Sequence, residues 1–216
     1  AVRAGRDPSE VTLIAVSKAQ DPAKLADAAA TGHVDFGENY VQGLLARLEA
    51  FKGSPLRWHL IGALQRRKAR KVVGSVALIH SVDRLELATE IDLRARALGV
   101  VQEVLLEVSI AGEETKAGAN PETLPALFDS VQELAGVRVR GLMSIPPHSE
   151  NPELLRSYYT RTRELLEGLR ERCPERKGFL VELSMGMSND LEVAIGEGAT
   201  IIRVGSALFG PRPPRT

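Results

Sequence analysis

Short apolar runs recur along the chain, separated by segments whose apolar positions follow helical spacing. The first run, Val11-Thr-Leu-Ile-Ala-Val-Ser-Lys18, has apolar side chains on both faces, so the alternation typical of a half-exposed strand is missing. This pattern is typical of a strand buried on both sides, as in a parallel sheet covered by helices. We predict seven further strands, over residues 34–39, 56–62, 77–82, 101–110, 137–145, 179–183 and 200–204.

A helical segment follows each predicted strand. Asp21-Pro22, Asn120-Pro121 and Asn151-Pro152 each pair a capping residue with a proline at the first helical position. Asn189, with Glu192 three residues later, also has the spacing of a helix start. The predicted helices cover residues 21–32, 40–51, 64–73, 84–98, 120–136, 151–173 and 189–198, and a last helical turn covers 206–209.

Eight strand–helix alternations without a linker predict an α/β protein in which crossover helices join parallel strands. Eight even repeats in 216 residues favour a closed (β/α)₈ TIM barrel, with a doubly wound open sheet as the alternative. We expect residues 1–216 to form a single domain. Residues 1–5 read as the end of a helix, so we expect that an N-terminal helix is truncated.

Composition narrows the possible functions. Lysine plus arginine and aspartate plus glutamate number 28 each, so no overall charge points to nucleic acid or membrane. The basic cluster at 66–71 is interpreted as a solvated helix face, and no apolar stretch is long enough to span a membrane. A single cysteine, Cys173, suits a reducing compartment, and we expect a cytoplasmic protein.

Lys18 is the first candidate for chemistry, because active sites of such barrels form at the carboxyl ends of the strands. A lysine buried at a strand end is desolvated, which lowers its pKa and makes the amine a better nucleophile for a carbonyl. The alternative to a buried, reactive amine is that the Lys18 side chain extends to solvent and has no chemical role. The four histidines show no metal-ligand spacing, and His59 is interpreted as a satisfied core residue.

Two glycine-containing loops follow the seventh and eighth strands, where barrels of this kind bind phosphate. Residues 184–189 read Ser-Met-Gly-Met-Ser-Asn and residues 203–206 read Arg-Val-Gly-Ser, and both lead into helix N-termini. Ordinary glycine turns and caps are the alternative. A phosphate site opposite a buried lysine fits a phosphorylated aldehyde such as pyridoxal 5'-phosphate (PLP).

Arg203 lies inside an apolar strand, where a guanidinium needs an acceptor. Two explanations remain open. Arg203 forms a buried ion pair, with Glu38, Glu107 or Glu182 as candidates, or it donates to a bound ring.

Several long motifs together resemble one known family. They are Val-Ser-Lys (16–18), Phe-Gly-Glu-Asn-Tyr-Val-Gln (36–42), Trp-His-Leu-Ile-Gly-x-Leu-Gln (58–65), Gly-Leu-Met-Ser-Ile (141–145), Leu-Ser-Met-Gly-Met-Ser-Asn-Asp (183–190) and Arg-Val-Gly-Ser-Ala-Leu-Phe-Gly (203–210). The chain is similar to the pyridoxal phosphate homeostasis proteins, single-domain relatives of the alanine racemase N-terminal barrel. The chain departs from this family at Gly62-Ala63-Leu64, where relatives often have proline or histidine in place of Ala63.

The resemblance implies that PLP is the cofactor and that Lys18 carries it as a Schiff base. It implies further that Arg203 faces the pyridine nitrogen. The other residues that it places around the cofactor or its phosphate are Asn39, Met187, Ser188, Gly205 and Ser206. Lys116 matches a loop lysine that the family places close to the site.

The resemblance leaves three functions open. The first is a protein that holds and releases PLP for intracellular homeostasis, without robust catalysis, as a monomer with PLP-dependent apoenzymes as candidate partners. The second is a weak PLP-dependent amino-acid racemase, which needs an acid opposite Lys18 that we do not find in 216 residues. The third is a phosphate-sugar enzyme in which Lys18 reacts with the substrate. We assign no catalytic residue.

Overall fold

The computed structural model describes residues 1–112 and 117–210. Within them, eight parallel strands close into a barrel in chain order, each paired with the next and the last with the first. The strands are β1 (Thr12–Val16), β2 (Asp35–Glu38), β3 (Arg57–Leu60), β4 (Leu78–Val82), β5 (Gln102–Val108), β6 (Val137–Ser144), β7 (Glu182–Ser184) and β8 (Ile201–Val204). The predicted (β/α)₈ barrel is confirmed, and the open sheet is excluded.

Helices surround the barrel and connect its strands. The α-helices are α1 (Pro22–Ala30), α2 (Val41–Ala50), α3 (Leu85–Ala97), α4 (Leu124–Gln132), α5 (Pro152–Arg172), α6 (Leu191–Gly196) and α7 (Ser206–Phe209). Between β3 and β4 the chain forms a 3-10 helix, Arg66–Lys71, where we predicted a longer basic helix. None of the helices in the described residues is long and apolar enough to cross a membrane.

Two helices begin later than the sequence predicted. The Asn120 side chain accepts a hydrogen bond from the backbone of Glu122 within a turn, and α4 itself starts only at Leu124. Likewise, α6 starts after Asp190 rather than at Asn189, so the predicted capping pair is wrong. Asparagine stabilises turns as readily as helix starts, which explains the first difference. At the second helix, the Asp190 side chain accepts a hydrogen bond from the backbone of Met187.

The core has two layers. A large apolar layer lies between the outer face of the strands and the helices, and a smaller cluster of Ile14, Ile61, Leu78, Leu105, Met143 and Ile201 fills the inside of the barrel. Toward the carboxyl ends of the strands the inside becomes polar, with Arg203, Glu107 and His80 all buried. The interior of the barrel is therefore polar at the end where active sites of this fold form, and the candidate site lies there.

Candidate functional site

A cavity of about 460 Å³ lies at the carboxyl end of the barrel. All seven residues predicted as cofactor contacts line it, and they are Lys18, Asn39, Met187, Ser188, Arg203, Gly205 and Ser206. They come from the ends of β1, β2 and β8 and from the loop after β7, so only the closed barrel brings them together. Lys116, which the resemblance placed nearby, lies outside the described residues.

Lys18 stands two residues beyond the end of β1 and is half-buried, less enclosed than its place in the apolar run suggested. Its ammonium lies 5.5 Å from the centre of the Tyr40 ring, a distance at which a cation is attracted to the aromatic face. The next residue, Ala19, has a φ of 57°, a left-handed conformation that a non-glycine residue rarely adopts. The backbone therefore turns sharply directly after the lysine.

A buried cluster beneath Lys18 fixes this turn. The Ser17 hydroxyl donates to a carboxylate oxygen of Glu38 at 2.8 Å and is within 3.0 Å of the Gly37 carbonyl. Arg47 on α2 lies 3.6 Å from Glu38 and also donates to the carbonyl of Gln20. Glu38 is thus held by Ser17 and Arg47, and it is not the partner of Arg203.

The loop after β7 and the start of α7 form a group of unsatisfied backbone donors. Within the described chain, the N–H groups of Ser188, Asn189 and Ser206 donate to no acceptor. The Ser188 hydroxyl oxygen lies 3.4 Å from the N–H of Ala207, so it sits at the N-terminus of α7. Three free donors and two serine hydroxyls around one cavity are the donor set that a phosphate group requires.

Gly186 allows this loop to pack closely. Its φ is 91°, and a Cβ added there would lie 2.5 Å from the Cβ of Ala194 on α6. Any side chain would push the loop away from the helix that supports it. The glycine is therefore required by the local backbone.

Arg203 is 4% exposed and projects into the barrel. It donates to the Ser184 hydroxyl at 2.7 Å and to the Ser144 carbonyl at 3.0 Å. Burial lowers the pKa of its guanidinium, although the nearby Tyr159 and Glu107 act in the opposite direction. Of the two explanations left open by the sequence, the buried ion pair is excluded among the described residues, because neutral oxygens hold this arginine.

A chain of hydrogen bonds connects Arg203 to the opposite end of the barrel. The Ser184 hydroxyl is 2.9 Å from Nδ1 of His80, whose Nε2 is 3.1 Å from Nδ1 of His59. The Nε2 of His59 is 3.0 Å from a carboxylate oxygen of Asp35. No sequence pattern indicates these hydrogen bonds, because the residues that form them come from β2, β3, β4, β7 and β8.

The carboxylate sets the direction of these bonds. Since a carboxylate only accepts, we assign the proton of His59 to Nε2, so its Nδ1 accepts from His80. His80 in turn accepts from Ser184, which accepts from Arg203. Burial lowers the pKa of His80 well below its ordinary value, and the charge of Arg203 acts in the same direction. A neutral His80 satisfies every link.

Asp35 remains ionised at the far end of this chain. Its burial favours the neutral acid, but the hydrogen bond from His59 and the charge of Arg57 outweigh that effect. The pKa of Asp35 is therefore lowered. His59 was predicted to be a satisfied core histidine, and its two hydrogen bonds agree with that interpretation.

The loop after β6 contributes residues that we did not predict. His148 and Ser149 line the same cavity as Lys18. No sequence spacing marks them, since they lie in an irregular segment before α5. No group of three metal-ligating side chains occurs within residues 1–112 and 117–210.

Comparison with known proteins gives consistent results. The sequence model of the family "Alanine racemase, N-terminal domain" matches residues 2–213 of this chain. The chain is 48% identical to the pyridoxal phosphate homeostasis protein of Aquifex aeolicus over 210 residues, 97% of this chain and 91% of that one. It is 38% identical to the protein of the same name from Escherichia coli K12, covering 98% of this chain and 90% of that one.

Solved structures agree with the sequence matches. PipY of Synechococcus elongatus PCC7942, solved with PLP bound, superposes with a TM-score of 0.87 at 40% identity, covering 97% of this chain and 96% of that one. An alanine racemase of Clostridium difficile 630 superposes with a TM-score of 0.72 at 16% identity, covering 95% of this chain and 53% of that one. The second likeness concerns the fold alone.

Proposed function

This chain belongs to the pyridoxal phosphate homeostasis proteins, a family with the alanine racemase N-terminal fold, and we propose that it holds PLP and releases it without robust turnover. Lys18 would bond to the aldehyde of PLP. The N–H groups and hydroxyls of Ser188 and Ser206, with the backbone of Gly205 between them and β8, would hold the phosphate. PLP itself would supply an aldehyde that reacts reversibly with amines.

The observation that carries this proposal is the arrangement of the cavity. A lysine lines the same space as three unsatisfied backbone donors and two serine hydroxyls. An aldehyde and a phosphate on one small molecule match these two features together. A phosphate-sugar would use the same donors, so the cofactor itself has to be tested.

Arg203 supports a holding role. A guanidinium stays protonated and only donates, so at the ring nitrogen of PLP it would oppose protonation of that nitrogen. The ring would then accept electrons poorly, which disfavours transamination and decarboxylation. The bonds to Ser184 and Ser144 keep the guanidinium in one orientation for this contact.

The tyrosines also favour holding over racemisation, which needs an acid opposite Lys18. In the described part of the chain no tyrosine lines the cavity. Tyr40 contacts Lys18 itself, and the hydroxyl of Tyr159 is fully buried. Weak racemisation remains the alternative, with His148 and Asp190 as the acid–base groups that line the cavity besides Lys18.

The proposal extends to the partners, the oligomeric state and the cellular compartment of the protein. A protein that holds PLP reversibly would serve PLP-dependent apoenzymes, and all seven predicted contacts come from one chain, which supports a functional monomer. The single cysteine supports a reducing compartment such as the cytoplasm.

The test is the visible absorption spectrum of the purified protein with added PLP. We expect a yellow band that borohydride abolishes, and a cofactor mass on the peptide that contains Lys18. Lys18→Ala should lose the band, whereas Lys52→Ala, which removes an exposed lysine elsewhere, should keep it. A colourless wild-type protein that takes up no PLP would refute the proposal and favour a phosphate-sugar ligand.

A further inference from the structure

A second cavity adjoins the one that contains Lys18. Its volume is about 300 Å³, and Asn39, Ile61 and Ile145 line both spaces. Gly62 lies at the shared edge, where an added Cβ would come within 2.3 Å of the Asn39 carbonyl oxygen. The close approach of these two backbones shapes the boundary between the cavities, so a ligand in one lies beside a ligand in the other.

Glu107 is the ionisable group of this second cavity. It lies near the end of β5 and is 8% exposed. Its carboxylate forms no hydrogen bond or ion pair with any described residue. Arg203, the nearest candidate partner, directs its bonds to Ser184 and Ser144 instead. A buried carboxylate without a partner is costly, so a structural role does not explain it.

Within residues 1–112 and 117–210, the surroundings of Glu107 hold little positive charge. The charged groups that face it are Asp83, just after β4, and Arg203 on β8, while its register neighbour on β6 is the apolar Met143. Burial and the repulsion from Asp83 together raise its pKa from 4.5 to about 7, although Arg203 acts in the opposite direction. A perturbed carboxyl group beside a cavity is typical of a functional site.

The rest of the lining indicates the ligand. Val108, Ile110, Ala111 and Ala117 give the cavity small apolar walls. An anionic ligand would be repelled by Glu107 and Asp83, whereas a cation would supply the missing partner. We propose that this cavity binds a small primary amine, whose ammonium group is held by the Glu107 carboxylate and whose short apolar chain contacts these walls.

The functional meaning of this site rests on the proposed function. An amine bound here lies beside the cavity proposed for PLP, so amine occupancy and cofactor retention would be coupled. Such coupling would give a PLP-holding protein a signal for release. Binding of the amine itself does not depend on PLP and can be measured on the protein without cofactor.

The experiment titrates the cofactor-free protein with n-butylamine at pH 8, where both the carboxylate and the ammonium are charged. Backbone NMR shifts report the affinity and the location of binding, and 1-butanol serves as the neutral probe of the same shape. The variants are Glu107→Gln and, as a matched control, Glu103→Gln, which removes an acid on the same strand with a side chain that is 38% exposed. PLP uptake by each variant is measured separately.

We expect wild type and Glu103→Gln to bind n-butylamine equally, with shifts near residues 61–63 and 107–111. Glu107→Gln should weaken binding at least tenfold, as expected for loss of a charge-assisted hydrogen bond. Equal binding by Glu107→Gln, equal binding of 1-butanol, or no amine binding by wild type would each overturn the inference. If no variant takes up PLP but Glu107→Gln alone loses the amine, the inference holds and the proposed function fails.

Discussion

Glu107 should make this protein less stable as the pH rises. A carboxyl group whose pKa is higher in the folded state binds its proton more tightly there than in the unfolded chain, so stability falls between the two pKa values. The shift from 4.5 to about 7 spans 2.5 pH units. At about 1.4 kcal/mol per unit, ionised Glu107 destabilises the fold by about 3 kcal/mol above pH 7.

Glu107→Gln removes this effect while keeping the shape of the side chain. We expect the variant to be more stable than wild type by about 3 kcal/mol at pH 8 but by only about 1 kcal/mol at pH 5, where the folded carboxyl is still protonated. Urea unfolding of both proteins at the two pH values measures these differences, and Glu103→Gln is the control. Other titrating groups are common to both proteins, so a difference that does not change between pH 5 and pH 8 would refute the reasoning.

Four further substitutions test the scaffold around the site. Ser184→Ala removes one hydrogen-bond partner from the buried guanidinium of Arg203 and one from the buried imidazole of His80, so we expect a loss of about 1–3 kcal/mol in urea unfolding and weaker PLP uptake. Gly62→Ala should destabilise the fold and disturb PLP uptake because its Cβ would overlap the Asn39 carbonyl, whereas Gly168→Ala, on an exposed turn of α5 with open space, should stabilise it by up to about 1 kcal/mol. Glu197→Gln should weaken the contact between α5 and the segment before β8. Burial alone would raise the pKa of Glu197, but hydrogen bonds from α5 outweigh it and lower that pKa. Wild type should therefore be more stable than the variant at pH 7 and lose this extra stability only in acid, as measured by thermal unfolding from pH 7 to pH 3.

The barrel could be predicted from the sequence because each strand and helix is a local pattern. Apolar runs with both faces covered indicate parallel strands, and eight of them leave few alternatives. The same logic located Lys18 and the loops at 184–189 and 203–206, since the chain order of strand ends fixes which loops share a rim. Helix starts were predicted less well, because Asn120 satisfies a turn rather than a cap.

The buried polar chain could not be predicted, because its bonds join strands that are distant in sequence. Ser184 is 104 residues from His80, and neither position shows a motif. The sequence offered three acids as partners of Arg203, yet charge alone does not determine the contact. A hydroxyl and a carbonyl hold Arg203, and this choice depends on which side chains face inward at the same level of the barrel.

The distribution of satisfied and unsatisfied groups connects stability with function in this protein. From Asp35 to Arg203 the buried polar atoms inside the barrel are paired, as a stable interior requires. Glu107, which has no partner in the described chain, and the free N–H groups of Ser188 and Ser206 all border cavities. If stability alone had shaped this end of the barrel, a glutamine at position 107 would serve better. The unpaired carboxylate and the unpaired donors therefore fit two ligand groups, a cation and a phosphate, in adjoining cavities.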